Sequence, residues 1–476
     1  MNSNSLQNRF PSVAFGTSGV RALVADLHPS VVAAYIKAFI QRMQGISALN
    51  EMGEIAVSID LRPSSPDIAL VAINAIIESG YQATYLGELP TPALALYCLT
   101  SGVPGIMVTG SHIPFDRNGL KFYSPTGEIL KTDEQAMSDT FIDSAQLEKL
   151  KGKLIKLPNI VPYALSSYEA RYVQYFQNRP LKSVRIGVYQ HSAVGRDTVV
   201  RVLESLGATV VPLGRSNDFV PVDTEAVSKE DIQQAETWCA QHKLDVLVST
   251  DGDSDRPLVF DENGQFVRGD ILGLICARYL AITTLAVPVS CNTLLEKSDY
   301  FTRIQRTRIG SPYVIDAMNQ LHKQGEQGVA GFEANGGFLL GSNVAGLPVL
   351  PTRDALLPII TILVNAASEK QTISQLVASL PARYTHSDRI KDINSAKSAN
   401  ILQKAEVDVE FQRQLFPKKS VAHIDTTDGV RITFSDGDIA HLRASGNAPE
   451  LRCYTEAKTV SQAEALCQAT LERLVS

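Results

Sequence analysis

Short apolar runs alternate with longer amphipathic stretches along the chain, and the alternation predicts strands and helices in turn. The stretch at 31–43 predicts a helix, and the apolar run at 55–59 a buried strand. A second helix opens around Pro66, where proline suits a first turn, and runs to Glu78 before Gly80 stops it. Residues 81–86 make the next strand, so this region reads as one βαβ unit with helices on a mostly parallel sheet. The unit recurs. Residues 184–189 and 207–212 read as strands around a helix at 195–206, and the helix exit at 204–214 nearly repeats the wording of 78–87. A third copy is expected from 287–291, through a turn at 309–312, into a helix at 313–323. Any two crossovers share some likeness, yet the matched wording favours a repeated α/β domain. After about Leu380 the pattern changes. Strands at 430–434 and 439–443, a turn at Asp436 and Gly437, and a helix at 461–474 predict a smaller α+β domain.

At 476 residues the chain is too long for one core, and three or four domains are expected. A net charge of −6 leaves no electrostatic footprint for nucleic acid or for an anionic membrane surface. An anionic substrate therefore needs a locally basic pocket. Cys98, Cys239, Cys276, Cys291, Cys453 and Cys467 are scattered, with no spacing that suits zinc or a disulfide framework, which points to a reducing compartment. Residues 1–9 lack the pattern of a secretory leader, and no run of about 20 apolar residues is present to span a bilayer. The expectation is a cytoplasmic protein with no nucleic-acid or membrane partner and no evident obligate protein partner.

The candidate chemistry centres on residues 108–122. Ser111, between Gly110 and His112 in a turn broken by Pro114, is held out of regular structure where a ligand can reach it. Lys121 lies at the end of the same loop or the start of the next strand, so a nucleophile and a proton donor share one segment. A polar structural turn would carry similar residues, and the case rests on the other loops. At 14–22 two glycines and two hydroxyl residues free backbone amides to face an anion, with Arg21 beside them. At 244–257 Asp251, Asp253 and Asp255 alternate along a loop that can aim all three at one hard cation such as Mg²⁺. Crowded carboxylates repel one another without such a counterweight. Arg256 next to them offers a positive group to a phosphate oxygen. The spacing to Glu262 imitates a calcium-binding EF-hand loop, but Arg256 stands where that loop needs glycine, and the flanks read as strands. Asp251 at a strand end is also placed as an aspartyl phosphatase nucleophile would be, an alternative that stays open. Glu333 and Asn335, between glycines, can grip neighbouring hydroxyls of a sugar. Arg443, Ser445, Gly446 and Asn447 gather donors for a phosphate dianion, and Arg452 either assists or faces water from a strand.

These five loops, in this order, resemble the α-D-phosphohexomutase family of phosphomannomutases and phosphoglucomutases. The resemblance implies four domains around a central cleft, three related α/β domains and a smaller C-terminal α+β domain, divided near 1–165, 166–272, 273–382 and 383–476. It implies that Ser111 carries a phosphoryl group, with Mg²⁺ held by Asp251, Asp253, Asp255 and an oxygen on Ser111. Lys121 would be the acid/base residue, Arg21 and Arg256 would stabilise the moving phosphoryl group, and His112 would belong to the same catalytic set. Glu333 and Asn335 would hold sugar O3 and O4. Arg443, Ser445, Gly446, Asn447 and Arg452 would hold the phosphate that is not reacting. The implied reaction interconverts hexose 1-phosphate and hexose 6-phosphate through a hexose 1,6-bisphosphate, which also serves as activator. By overall resemblance mannose is the first choice of sugar, glucose the second and glucosamine the third; nothing in the sequence reads C2. A non-catalytic sugar-phosphate-binding protein is the remaining alternative, against which the intact Ser111, Lys121 and aspartates argue. Three positions depart from the common pattern. Ile113 replaces an asparagine, Asn335 a serine, and Gly337 a histidine that would be a candidate base.

Overall fold

Among the described residues four β-sheets follow one another along the chain. The computed structural model describes residues 5–142, 154–178, 180–445 and 449–475. In the first sheet the strand Glu54–Ile59 lies between Gln82–Glu88 and Gly105–Val108, parallel to both, and Arg117–Ser124 returns antiparallel to the last. The hairpin Ala14–Phe15 and Val20–Leu23 extends that side. The second sheet repeats the scheme with Arg185–His191 between Thr209–Arg215 and Val246–Thr250, followed by antiparallel Pro257–Phe260. The third repeats it again with Thr284–Pro288 between Arg303–Thr307 and Val329–Phe332, followed by antiparallel Phe338–Leu340. The repeat expected from the sequence is therefore real.

Two expectations need correction. The sheets are mixed, because in each copy the fourth strand follows the third through a short hairpin loop, and so short a connection permits only an antiparallel return. The first strand of the third copy begins at Thr284, earlier than expected. The apolar run continues past Pro288, and pairing with Arg303–Thr307 selects its earlier part.

Glu54–Ile59 is buried along its whole length, as a strand covered on both faces must be. The helices Pro29–Gly45 and Ser65–Glu78 pack together against one face. On the other, the helix Thr91–Ser101 packs against the linking helix Tyr163–Tyr175. Residues from that face, including Leu94 and Tyr97, share one continuous core with Ile186, Val248, Leu285, Phe332 and Leu356 of the next two domains. Three domains are thus welded by apolar contact, which fixes their loops relative to one another. The C-terminal domain has its own core, under an antiparallel sheet containing Tyr384–Ile390, Val421–Asp425, Val430–Phe434, Ile439–Ala444 and Leu451–Ala457. The final helix Val460–Val475 packs on it. Among the described residues no helix is long and apolar enough to cross a membrane.

The repeat places the site. The serine loop joins Gly105–Val108 to Arg117–Ser124, the aspartate loop joins Val246–Thr250 to Pro257–Phe260, and the Glu333 loop joins Val329–Phe332 to Phe338–Leu340. All three are the same hairpin loop of the same unit, outside the carboxyl end of its third strand.

Candidate active site

Ser111 sits at φ 55°, in the left-handed region that non-glycine residues seldom occupy. What holds it there is Arg62, at the end of the first parallel strand. Its guanidinium donates to the carbonyls of Ser111 (2.9 Å), Ile113 (2.5 Å), Pro114 (2.7 Å) and Arg117 (2.9 Å). Asp60 completes the bolt by accepting from the Ser65 and Thr109 hydroxyls, and the Thr109 hydroxyl oxygen in turn accepts from the Ser111 backbone N–H. Ile113, one of the departures from the common pattern, thus contributes through its backbone carbonyl.

The Ser111 side chain lies beneath the floor of the cleft, fully buried, and its hydroxyl donates to Asp251 Oδ2 at 2.6 Å. Gly252 makes the approach possible, since a Cβ there would stand 2.6 Å from the Ser111 carbonyl oxygen. Asp251, Asp253 and Asp255 are all completely buried, each with an oxygen within 4.8 Å of the others. Lys121 Nζ donates to Asp253 at 2.5 Å and to Asp255 at 2.6 Å. Its place is inside the strand Arg117–Ser124, not at a loop end, because Arg117 to Leu120 already pair with Val20–Leu23. Burial and the two neighbouring carboxylates push the Asp251 carboxyl well above its usual range. Burial is the largest influence on Asp253 and Asp255 as well and acts the same way, but neighbouring groups together outweigh it, chiefly Lys121 with Thr91 and Arg353 at Asp253 and Arg353 with Lys121 and Arg256 at Asp255, so both lie below their usual range. Asp253 Oδ1 and Asp255 Oδ1 remain buried without a hydrogen-bond partner among the described residues. Buried acceptors of this kind, converging on one point, are what a hard divalent cation satisfies, and the triad can hold a metal ion. The flanking strands, paired Thr250 to Pro257, are those of a hairpin and not the helices of a calcium-binding EF-hand.

Arg256 Nη1 donates to His112 Nδ1 at 2.9 Å. Arginine offers no acceptor, so Nδ1 carries the lone pair and the ring hydrogen is on Nε2. Burial and Arg256 hold the His112 imidazole down to about 3, which keeps it neutral. The carboxylates nearest to Arg256 Nε lie at 3.7 and 3.9 Å, beyond hydrogen-bond range, and its side chain lines the cleft. Arg21 lines it too, pushed down to about 10 by burial and by the charge on Arg256. Its hairpin is closed by a bond from the Gly16 backbone N–H to the Gly19 carbonyl, at 2.8 Å.

From the third domain Glu333 and Asn335 reach the same cleft, and from the fourth Arg443, Ser445 and Arg452. Arg443 Nε donates to Asp428 at 2.9 Å. Arg452 is both a residue of the strand Leu451–Ala457 and part of the cleft wall. Gly446 and Asn447 lie outside the described residues.

Arg353 carried no signal in the sequence. Buried at 1% exposure, it donates to Asp255 (3.0 Å), Glu333 (3.0 Å), Ser311 (2.9 Å) and Ser18 (3.3 Å), tying loops of three domains together. It also accounts for Gly337, where a Cβ would stand 2.8 Å from Arg353 Cγ. The Arg353 stem therefore stands where any side chain at position 337 would have to begin. Arg62 was equally silent, appearing only as a polar residue before Pro63.

Models of the four phosphoglucomutase/phosphomannomutase domains, three described as alpha/beta/alpha domains I to III and one as the C-terminal domain, match residues 12–147, 167–264, 268–384 and 385–473. A phosphomannomutase of Salmonella muenchen is 47% identical over 470 residues, covering 98% of this chain and 96% of that one. Another, of Sinorhizobium fredii, is 43% identical over 458 residues, covering 95% and 96%. A solved structure of a phosphoglucomutase/phosphomannomutase family protein from Burkholderia thailandensis superposes with a TM-score of 0.74 over 96% of both chains at 18% identity, which shows a common fold. With the four domains in order and the relatives matched from end to end, the chain belongs to the phosphoglucomutase/phosphomannomutase family.

Proposed function

We propose that the protein is a cytoplasmic phosphomannomutase, interconverting mannose 1-phosphate and mannose 6-phosphate through a phosphorylated Ser111 and a hexose 1,6-bisphosphate that also serves as activator. The observation that carries the reading is the bond of 2.6 Å between the Ser111 hydroxyl and Asp251, in a nest where Lys121 meets the other two aspartates. The identity with phosphomannomutases supports mannose as the sugar. Asp251 accepts from Ser111 through Oδ2 and from the backbone N–H groups of Asp255 and Arg256 through Oδ1, which counts against its serving as an aspartyl phosphatase nucleophile.

Asp251, Asp253 and Asp255 would hold Mg²⁺ with an oxygen on Ser111, and the ion when bound draws charge from the phosphoryl oxygens. In the forward half-reaction the bond from phosphorus to Ser111 Oγ breaks as one forms to the sugar oxygen. Lys121 exchanges the proton that the sugar hydroxyl gives up, and Arg21 and Arg256 take up charge on the phosphoryl group in flight. His112, neutral and bonded to Arg256, orients that guanidinium. Glu333 and Asn335 hold O3 and O4, which exchange places when the bisphosphate turns end for end. Arg443, Ser445, Gly446, Asn447 and Arg452 hold the other phosphate. Reversal of the first step on the turned sugar returns a phosphoryl group to Ser111.

The test is ³¹P NMR of the protein with Mg²⁺, a trace of glucose 1,6-bisphosphate, and in turn mannose 1-phosphate and glucose 1-phosphate. Faster conversion of the mannose compound to its 6-phosphate is expected. Faster conversion of the glucose compound would make it a phosphoglucomutase, and release of inorganic phosphate would overturn the mutase reading.

A further inference from the structure

Asp223, Glu225 and Ala226 of the second domain form a further wall of the cleft, at the end of a segment that begins at Phe219. The Phe219 ring lies 4.0 Å from the Arg62 guanidinium carbon, on the bolt of the serine loop, and packs beside Gly252 of the aspartate loop. The Val220 backbone N–H donates to the Ser192 hydroxyl at 2.7 Å. Thr224 donates from its hydroxyl to the Asn335 carbonyl at 3.3 Å, joining this wall to the loop assigned to O3 and O4. Asp223 Oδ1 accepts from the backbone N–H groups of Glu225 (2.9 Å) and Ala226 (3.2 Å), which turns the chain and fixes both carboxylates on the cleft lining. The Glu225 carboxylate has no hydrogen-bond partner among the described residues.

Two carboxylates on the wall of a cleft that admits phosphate dianions repel those dianions, so their place is against the neutral part of the substrate. A carboxylate accepts well from a hydroxyl. The two carboxylates face partly different neighbours on that wall: both feel the charge of Arg256, but Asp223 also faces His112, beside Ser111, and Glu225 also feels Arg268 and, from the C-terminal domain, Arg452. When a hexose bisphosphate turns so that O3 and O4 exchange places, O2 travels with C1 from one end to the other. A single acceptor would meet O2 in one orientation alone.

We propose that Asp223 and Glu225 accept the same 2-hydroxyl of the hexose in its two orientations, and so make the cleft selective at C2. This rests on the hexose mutase reading above. It assigns a substrate-binding role to a loop that showed no motif in the sequence.

The test compares Asp223→Asn and Glu225→Gln with the wild-type enzyme on mannose 1-phosphate and on 2-deoxyglucose 1-phosphate, with kcat and KM measured separately. Asparagine keeps the oxygen that receives both backbone amides, so the turn is preserved, and Glu225→Gln is an independent probe in which that turn is untouched. A hydrogen bond to a charged group lost from the substrate predicts a fall of roughly 10- to 100-fold in kcat/KM on mannose 1-phosphate. On the 2-deoxy sugar, which has no hydroxyl to lose, each variant is expected within about threefold of wild type. An equal loss on both sugars, or no loss on either, overturns the inference while the mutase reading stands. A wild-type enzyme that converts neither overturns both.

Discussion

Replacing Arg353 with methionine removes the guanidinium from a buried centre. Two buried ion pairs go with it, to Asp255 and to Glu333, both at 3.0 Å. Asp255 keeps Lys121 at 2.6 Å, so the larger loss falls on Glu333, which is 4% exposed and has no other ion pair among the described residues. Breaking a buried pair by deleting one partner costs about 3–5 kcal/mol, and methionine recovers little of it by packing. With a urea dependence of roughly 3 kcal/mol per molar, the unfolding midpoint followed by circular dichroism is expected to fall by about 1 M or more. Arg353→Lys restores one pair and is expected to recover part of that shift. A midpoint for Arg353→Met within about 0.2 M of wild type would refute the reasoning, because the guanidinium would then contribute no more than a surface ion pair.

Ser111→Ala is expected to abolish transfer of labelled phosphate from a hexose bisphosphate to the protein; label retained on Asp251, found by peptide mapping, would count for the phosphatase chemistry instead. Mg²⁺ at 100 times its dissociation constant is expected to stabilise the wild-type fold by about 2.7 kcal/mol, and Asp253→Asn to remove most of that gain in a thermal-shift titration. Asp354 is held by the Tyr168 and Tyr172 hydroxyls, and burial raises its carboxyl from 3.8 to about 6. A carboxyl raised on folding favours the native state fully below its unfolded value and loses that contribution as pH climbs through the folded one. Wild-type stability is therefore expected to fall by about 2 kcal/mol between pH 4 and 7 from this group, and Asp354→Asn to flatten that part of the profile.

The sequence by itself determined the elements, the repeated unit and the five loops. Each of these is local. A short apolar run bounded by turn residues, such as 55–59, reads as a buried strand from its own neighbourhood, and three aspartates on alternate positions crowd whatever the rest of the chain does. Lys121 was legible as a candidate functional residue but not as a strand interior, because the start of its strand, Arg117 to Leu120, is set by pairing with Val20–Leu23, about a hundred residues away. Only the tertiary structure decided what holds the loops in place. Arg62 reaches Ser111 across 49 positions, and Arg353 reaches Ser18 across 335. A single arginine among ordinary neighbours has no pattern to betray it. Its role comes from desolvation, which turns a guanidinium that would contribute little at the surface into the hub of a buried network. For the same reason Gly337 read as a residue lost, when in the folded chain it is the space that Arg353 fills.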